Sequence, residues 1–197
     1  MNPRPNLAFA FAVFAAFAIA AGNSAPHAQI NPFSQYYDNV ARAARQNDTA
    51  RVRSLMADNS NNPNQADEDS RTALHYGAMN GNLPIIAIMI KAKANLNEKD
   101  KLGNTPLHWA ADRNQVDALQ LLLDVGAQVD PENKNGMTPL MVAASRGNIE
   151  IVQALLAKGA SVTKTDFTGR DAAGWAAESH RPAVMQAIKR AQSAKRS

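Results

Sequence analysis

The sequence predicts an all-α solenoid of stacked helix–turn–helix units with hairpin-like loops, about five units in number, two of them atypical caps. Two observations predict it. Thr72, Thr105 and Thr138 are spaced 33 residues apart, and Asp171 continues the count. The same period relates Leu74, Leu107 and Leu140; Ala78, Ala111, Ala144 and Ala177; Met89, Leu122, Leu155 and Ile188; and Ala94, Ala127 and Ala160. A short apolar leader stands apart from this periodic body. A helix pair of this size cannot bury its own apolar face, so neighbouring units must stack.

The leader comes first. Arg4 gives a positive start, Leu7 to Ala21 is small and apolar, and Gly22, Asn23, Ser24 and Pro26 follow. This is the three-part layout of a secretory signal peptide over 1–28. The apolar run, at about 15 residues, is short of the roughly 20 that span a bilayer core, so a permanent anchor is disfavoured. Three cleavage points fit, after Ala28, Ala25 or Gly22, with Ala28 preferred. Export to a bacterial periplasm is the expectation, with release outside the cell as the alternative. A linker over 29–37 leads into the periodic body.

Charge and composition exclude several functions. The formal net charge is +4, from 21 basic and 17 acidic residues. The excess lies in Arg4 and in Lys189, Arg190, Lys195 and Arg196, leaving the body nearly neutral. Phosphate binding needs Lys and Arg clustered along a surface, so nucleic acid is not expected as a partner. The chain has no cysteine, which removes disulfides, thiolate nucleophiles, Cys-based zinc sites and a lipid-anchoring cysteine. No cofactor or metal is expected.

The units then follow in order. The first, 38–66, is a cap: Ala43, Ala44, Asn47, Val52, Leu55 and Met56 match the period, with one extra residue in the Asn-rich loop 59–65. Units 67–99, 100–132 and 133–165 are complete. Thr105 and Thr138 are expected to cap short first helices, with Pro106 and Pro139 in the first turn, where no amide partner is lost. Gly81 and Gly147 suit a left-handed turn between the two helices, and Asn47 and Asn114 replace them tolerably. The second helices carry apolar stripes, Val116, Leu119, Leu122 and Leu123 in one unit and Ile149, Val152, Leu155 and Leu156 in the next. Gly126 and Gly159 sit where those helices end. Lys93 holds that position in unit 67–99, so a looser helix end is expected there. The last unit, 166–197, has Asp171 for Thr, Gly174 for His, and Lys189 in place of Ile90, Leu123 and Leu156. It reads as a C-terminal cap with a basic tail.

The segments Thr105-Pro106-Leu107-His108, Thr138-Pro139-Leu140-Met141 and Thr72-Ala73-Leu74-His75 resemble the ankyrin signature. So do the Leu-Leu pairs followed by Gly126-Ala127 and Gly159-Ala160. The resemblance runs from about residue 36 to 192. It implies a monomeric module that recognises a protein partner through its loop tips and inner helices, the concave side. Mapped onto this chain, the tip candidates are Arg71, Lys101, Leu102, Asn104, Lys134, Met137, Phe167 and Arg170. The inner-helix candidates are Tyr76, Trp109, Asp112, Arg113, Ser145 and Arg146, with Val142 and Trp175 at the matching inner positions of their units. Leu102, Met137 and Phe167 suggest an exposed apolar line. Arg113 and Arg146 hold equivalent positions on adjacent helices, and arginine is over-represented among interface anchors. Tyr76, Trp109 and Trp175 share one position, read first as packing between repeats.

Two other functions compete. The least favoured is an enzyme using His108 and Asp112, one helical turn apart, as an acid–base pair. His108 recurs with the period, at a position where the resemblance implies a hydrogen bond to neighbouring loop backbone. No nucleophile elbow, phosphate loop, His-Glu-x-x-His or calcium loop appears. The other is a secreted effector acting on a host or neighbouring-cell protein. No second targeting signal is visible, so retention in the periplasm is the simpler expectation.

Overall fold

The computed structural model describes residues 39–57 and 61–194. The predicted signal peptide, the linker over 29–37, residues 59 and 60 of the Asn-rich loop, and residues 195–197 of the basic tail lie outside the described residues. Ten helices form five consecutive pairs among the described residues: α1 Val40–Arg45 with α2 Thr49–Ala57, α3 Ala73–Asn80 with α4 Leu83–Lys91, α5 Pro106–Asp112 with α6 Val116–Asp124, α7 Pro139–Arg146 with α8 Ile149–Ala157, and α9 Ala172–Glu178 with α10 Pro182–Ala194. The first helices of successive pairs pack in one row, and the second helices in another. None of these helices is long and apolar enough to cross a membrane.

Each first helix starts at an extended residue. Thr72, Thr105 and Thr138 have φ near −90° and ψ of 170°, 168° and 164°. Pro106 and Pro139 follow as the first helical residues, as their fixed φ and missing N–H favour. Asp171 caps α9 with its own carboxylate, which accepts from Gly174 N–H at 2.7 Å. The turns between helix partners all pass through a left-handed residue: Asn47, Gly81, Asn114, Gly147 and His180. His180 fills a slot where the other units carry glycine or asparagine.

The core runs along the stack between the rows. Leu74, Leu107 and Leu140 are buried, as are Met89, Leu122, Leu155 and Ile188. Burying one such side chain contributes about 1.5–3 kcal/mol relative to leaving it exposed. Paired small residues let the helices approach. Gly77 shows how tightly: a Cβ there would lie 3.0 Å from Ile86 Cγ1 and 3.2 Å from Ile85 Cγ2. The other units place alanine at this position. Lys189 is exposed on α10, next to the buried Ile188.

The looser helix end expected at Lys93 is not formed. Lys93 adopts φ 58°, Lys93 N–H donates to Ile90 O at 2.9 Å, and Ala94 N–H to Met89 O at 3.0 Å. Gly126–Ala127 and Gly159–Ala160 close their helices with the same two bonds. Packing of the buried Ala94 fixes this geometry, and Lys93 carries the left-handed strain that glycine avoids. Lys93→Gly is therefore expected to raise stability by about 1 kcal/mol. The check is the urea midpoint of the variant against the parent; an unchanged or lower midpoint would contradict it.

Candidate functional site

One polar residue organises each loop tip. In units two, three and five it is Asp67, Asp100 and Asp166; in unit four it is Asn133. The Oδ1 atom accepts from two backbone N–H groups of the tip, those of Leu102 and Asn104 for Asp100, each at 2.9 Å. The same pair of bonds recurs at Asp67, Asn133 and Asp166. Such side-chain-to-backbone bonds hold a turn closed.

The second carboxylate oxygen reaches the aromatic residue nine positions on. Tyr76 Oη donates to Asp67 Oδ2 at 2.6 Å, Trp109 Nε1 to Asp100 Oδ2 at 3.0 Å, and Trp175 Nε1 to Asp166 Oδ2 at 3.0 Å. Burial alone would raise the pKa of Asp67, but bonds from Tyr76, Arg71 N–H and Asp69 N–H outweigh it and hold the carboxyl below its ordinary value. In unit four the ninth residue is Val142, which has no proton to offer. Asn133 suits it: its Oδ1 holds the turn and its Nδ2 donates to Asn104 Oδ1 at 2.9 Å. The pairing of Asp with an aromatic donor, and of Asn with Val, was present in the sequence as a spacing of nine. It escapes a periodicity reading because it lies within a unit rather than between units.

The histidines join unit to unit. Thr105 N–H donates to His108 Nδ1 at 3.1 Å, so Nδ1 is the bare nitrogen and Nε2 carries the proton. Nε2 lies 3.0 Å from Met137 O, in the next unit. His75 makes the same pair of contacts, to Thr72 N and Asn104 O. Burial pushes the His108 pKa down to about 4, and lowers that of His75 as well. Asp112 turns elsewhere. Its carboxylate lies 2.7 Å from Arg146 and 3.3 Å from Arg113. The acid–base pair considered for His108 and Asp112 is thus not formed, because both groups have other partners.

A groove of about 460 Å³ opens on the face made by tips and first helices. Leu102, Asn104, Trp109, Asp112, Arg113, Met137, Ser145 and Arg146 line it, all of them candidates from the sequence. His108, Asn133, Val142 and Trp175 complete the lining. Of these, the sequence reading passed over Asn133, gave His108 a structural bond to loop backbone, and placed Val142 and Trp175 at inner-helix positions, with Trp175 read first as packing.

The remaining candidates fall around this groove. Arg71 lies over the Trp109 ring, 4.6 Å from its centroid, and bonds to Asp100. Arg170 stacks likewise on Trp175, at 4.6 Å, and pairs with Glu178. Lys101 and Lys134 are exposed on the tips. Tyr76 is only 4% exposed, so it packs and presents no contact surface. The apolar line expected from Leu102, Met137 and Phe167 is interrupted. Leu102 is 56% and Phe167 76% exposed, but Met137 packs partly against the core. The tips are also tied together. Lys101 N–H donates to Asp69 O, Lys134 N–H to Leu102 O, and Phe167 N–H to Asn135 O, one bond per step. The Phe167 ring covers Gly136 so closely that a Cβ there would stand 2.8 Å from its Cδ1.

A family model of ankyrin repeats, in three copies, matches residues 40–133 and 126–195. No curated protein matches the chain.

Proposed function

The chain belongs to the ankyrin-repeat family, and from that premise we propose that it is an exported, non-catalytic module that binds a partner protein through its concave face and loop tips. Repeats of this kind generally mediate protein–protein interaction. The groove carries the reading, because eight residues selected as recognition positions converge on one hollow. The surface is held before contact. Its turns are closed by Asp100 and Asn133, and its aromatic wall is fixed by the Trp109–Asp100 bond. A partner therefore meets side chains that need little further ordering, which lowers the entropy lost on binding. The engagement of His108 and Asp112 by other groups supports a non-catalytic role. Export rests on the leader sequence, and the periplasm is the proposed compartment.

The test is affinity capture from a periplasmic extract. The bait is the chain from residue 29, and the control bait carries alanine at Leu102, Arg113, Met137 and Arg146. A protein held by the first and lost by the second, with both baits equally folded, is the expected result. Equal retention would move the site off this face, and no retention would overturn stable recognition in that compartment. Intact precursor in the cytoplasm would overturn export.

A further inference from the structure

The groove owes its depth to one position. Trp109 and Trp175 stand on either side of Val142, each fastened by its indole N–H to the aspartate of its own tip. Val142 occupies the equivalent slot on α7 with a smaller side chain, and it lines the hollow together with both indoles. Apolar surface from Trp109, Met137, Val142 and Trp175 lines it. Pockets of this size that take a single anchor are apolar, with a few polar groups to orient it.

The rim is basic. Arg113 and Arg146 share the single carboxylate of Asp112, leaving one positive charge uncompensated. Lys101 and Lys134 sit on the tips beside the lining residues Leu102 and Asn133, exposed and without an ion-pair partner among the described residues. An occupant that complements this rim is negative on both sides of an apolar anchor.

We infer that the hollow over Val142 receives an aromatic side chain from an acidic segment of the partner protein. The aromatic ring meets the indoles edge-on or offset, beside the guanidinium groups of Arg71 and Arg113 over Trp109 and of Arg170 over Trp175, and such ring contacts add to burial. Carboxylates on either side of it meet Arg113 and Arg146 on one flank and Lys101 and Lys134 on the other. This inference rests on the concave-face reading above and specifies the chemistry of its ligand.

Isothermal titration calorimetry of the chain from residue 29 with three blocked peptides tests it: Asp-Glu-Phe-Glu-Asp, Asp-Glu-Ala-Glu-Asp and Lys-Lys-Phe-Lys-Lys. The first should bind at least about tenfold more tightly than the second or third, the scale on which losing one anchor is felt. Tryptophan emission reads the same event, since the chain has only two tryptophans and both line the hollow. The combined variant Asn133→Asp/Val142→Trp fills the hollow while reproducing the Asp–Trp pairing of its neighbours, and should abolish binding with the helical signal retained. Arg113→Glu/Arg146→Glu, on exposed side chains, should reverse the preference towards the lysine peptide. Equal affinity for all three peptides, or full affinity in the filled variant, would overturn the inference. So would no binding at millimolar peptide. If the capture experiment meanwhile retains a partner that the fourfold alanine control loses, acidic-aromatic recognition falls and concave-face binding stands. If both fail, both fall.

Discussion

Replacing Asp100 by alanine should destabilise the fold by about 3 kcal/mol, because this one buried side chain satisfies four donors. Its Oδ1 takes Leu102 N–H and Asn104 N–H; its Oδ2 takes Trp109 Nε1 and, at 3.4 Å, Arg71 Nε. The residue is only 4% exposed, so water cannot replace all of these bonds in place. Asp100→Asn keeps the turn bonds but brings an NH₂ group against the indole N–H and the guanidinium, donor against donor. Its cost should be about 2 kcal/mol. Adding Trp109→Val to Asp100→Asn rebuilds the natural Asn133–Val142 combination. The two changes should then show a coupling energy of about 1 kcal/mol in the direction of rescue. Urea unfolding of five proteins, the parent, Asp100→Ala, Asp100→Asn, Trp109→Val and the double variant, measures all of this. A loss below 1 kcal/mol for Asp100→Ala would mean that the tip turn does not depend on its aspartate.

The second large effect is acid lability in a pH range where carboxylates are still ionised. His108 has a pKa of about 4 in the folded chain, against 6.5 when unfolded. A depressed folded value means that the unfolded chain binds more protons between the two. Stability is therefore complete above pH 6.5 and is lost as pH falls from there towards 4. From pH 7 to pH 5, His108 alone should cost about 2 kcal/mol, and His75, shifted the same way, adds to it. The cause is structural. Nδ1 has no room for a proton while Thr105 N–H points at it, and the ring is buried. Urea midpoints at pH 7 and pH 5 give the measurement, with His108→Gln as comparison. That variant should be weaker at pH 7 yet lose less between the two pH values. Equal stability of the parent at pH 5 and pH 7 would refute the assignment.

Much of the fold could be read from the sequence because its signals are local. A Thr-Pro start, a left-handed Gly or Asn and an apolar stripe each act within a few residues, and a period of 33 repeats them. Lys93 was misjudged for a related reason. The strain of a left-handed lysine is small beside the burial of Ala94, and only the packed structure shows which prevails. The site was partly legible. Trp109, Arg113, Met137 and Arg146 were found because family resemblance places recognition at their positions. The bond between Asp100 and Trp109 was not, because it crosses from loop to helix within one unit. Met137 was expected at an exposed tip, but its side chain packs partly against the core, a tertiary effect no local pattern reports. Val142 looked unremarkable alone; its meaning comes from the two indoles beside it.

The Asp–aromatic pairing lies wholly inside a unit, whereas the histidine bonds cross between units. The inter-unit bonds of the histidines and the pairing that shapes the hollow thus rest on different residues. Exchanging Asp and Trp for Asn and Val, or the reverse, opens or closes a hollow while leaving every inter-unit bond of the histidines untouched. Making the exchange one unit along shifts the hollow by the spacing of neighbouring helices, about 10 Å. The stack therefore behaves as an addressable array, in which two residues set where a cavity lies and the rest keep the frame.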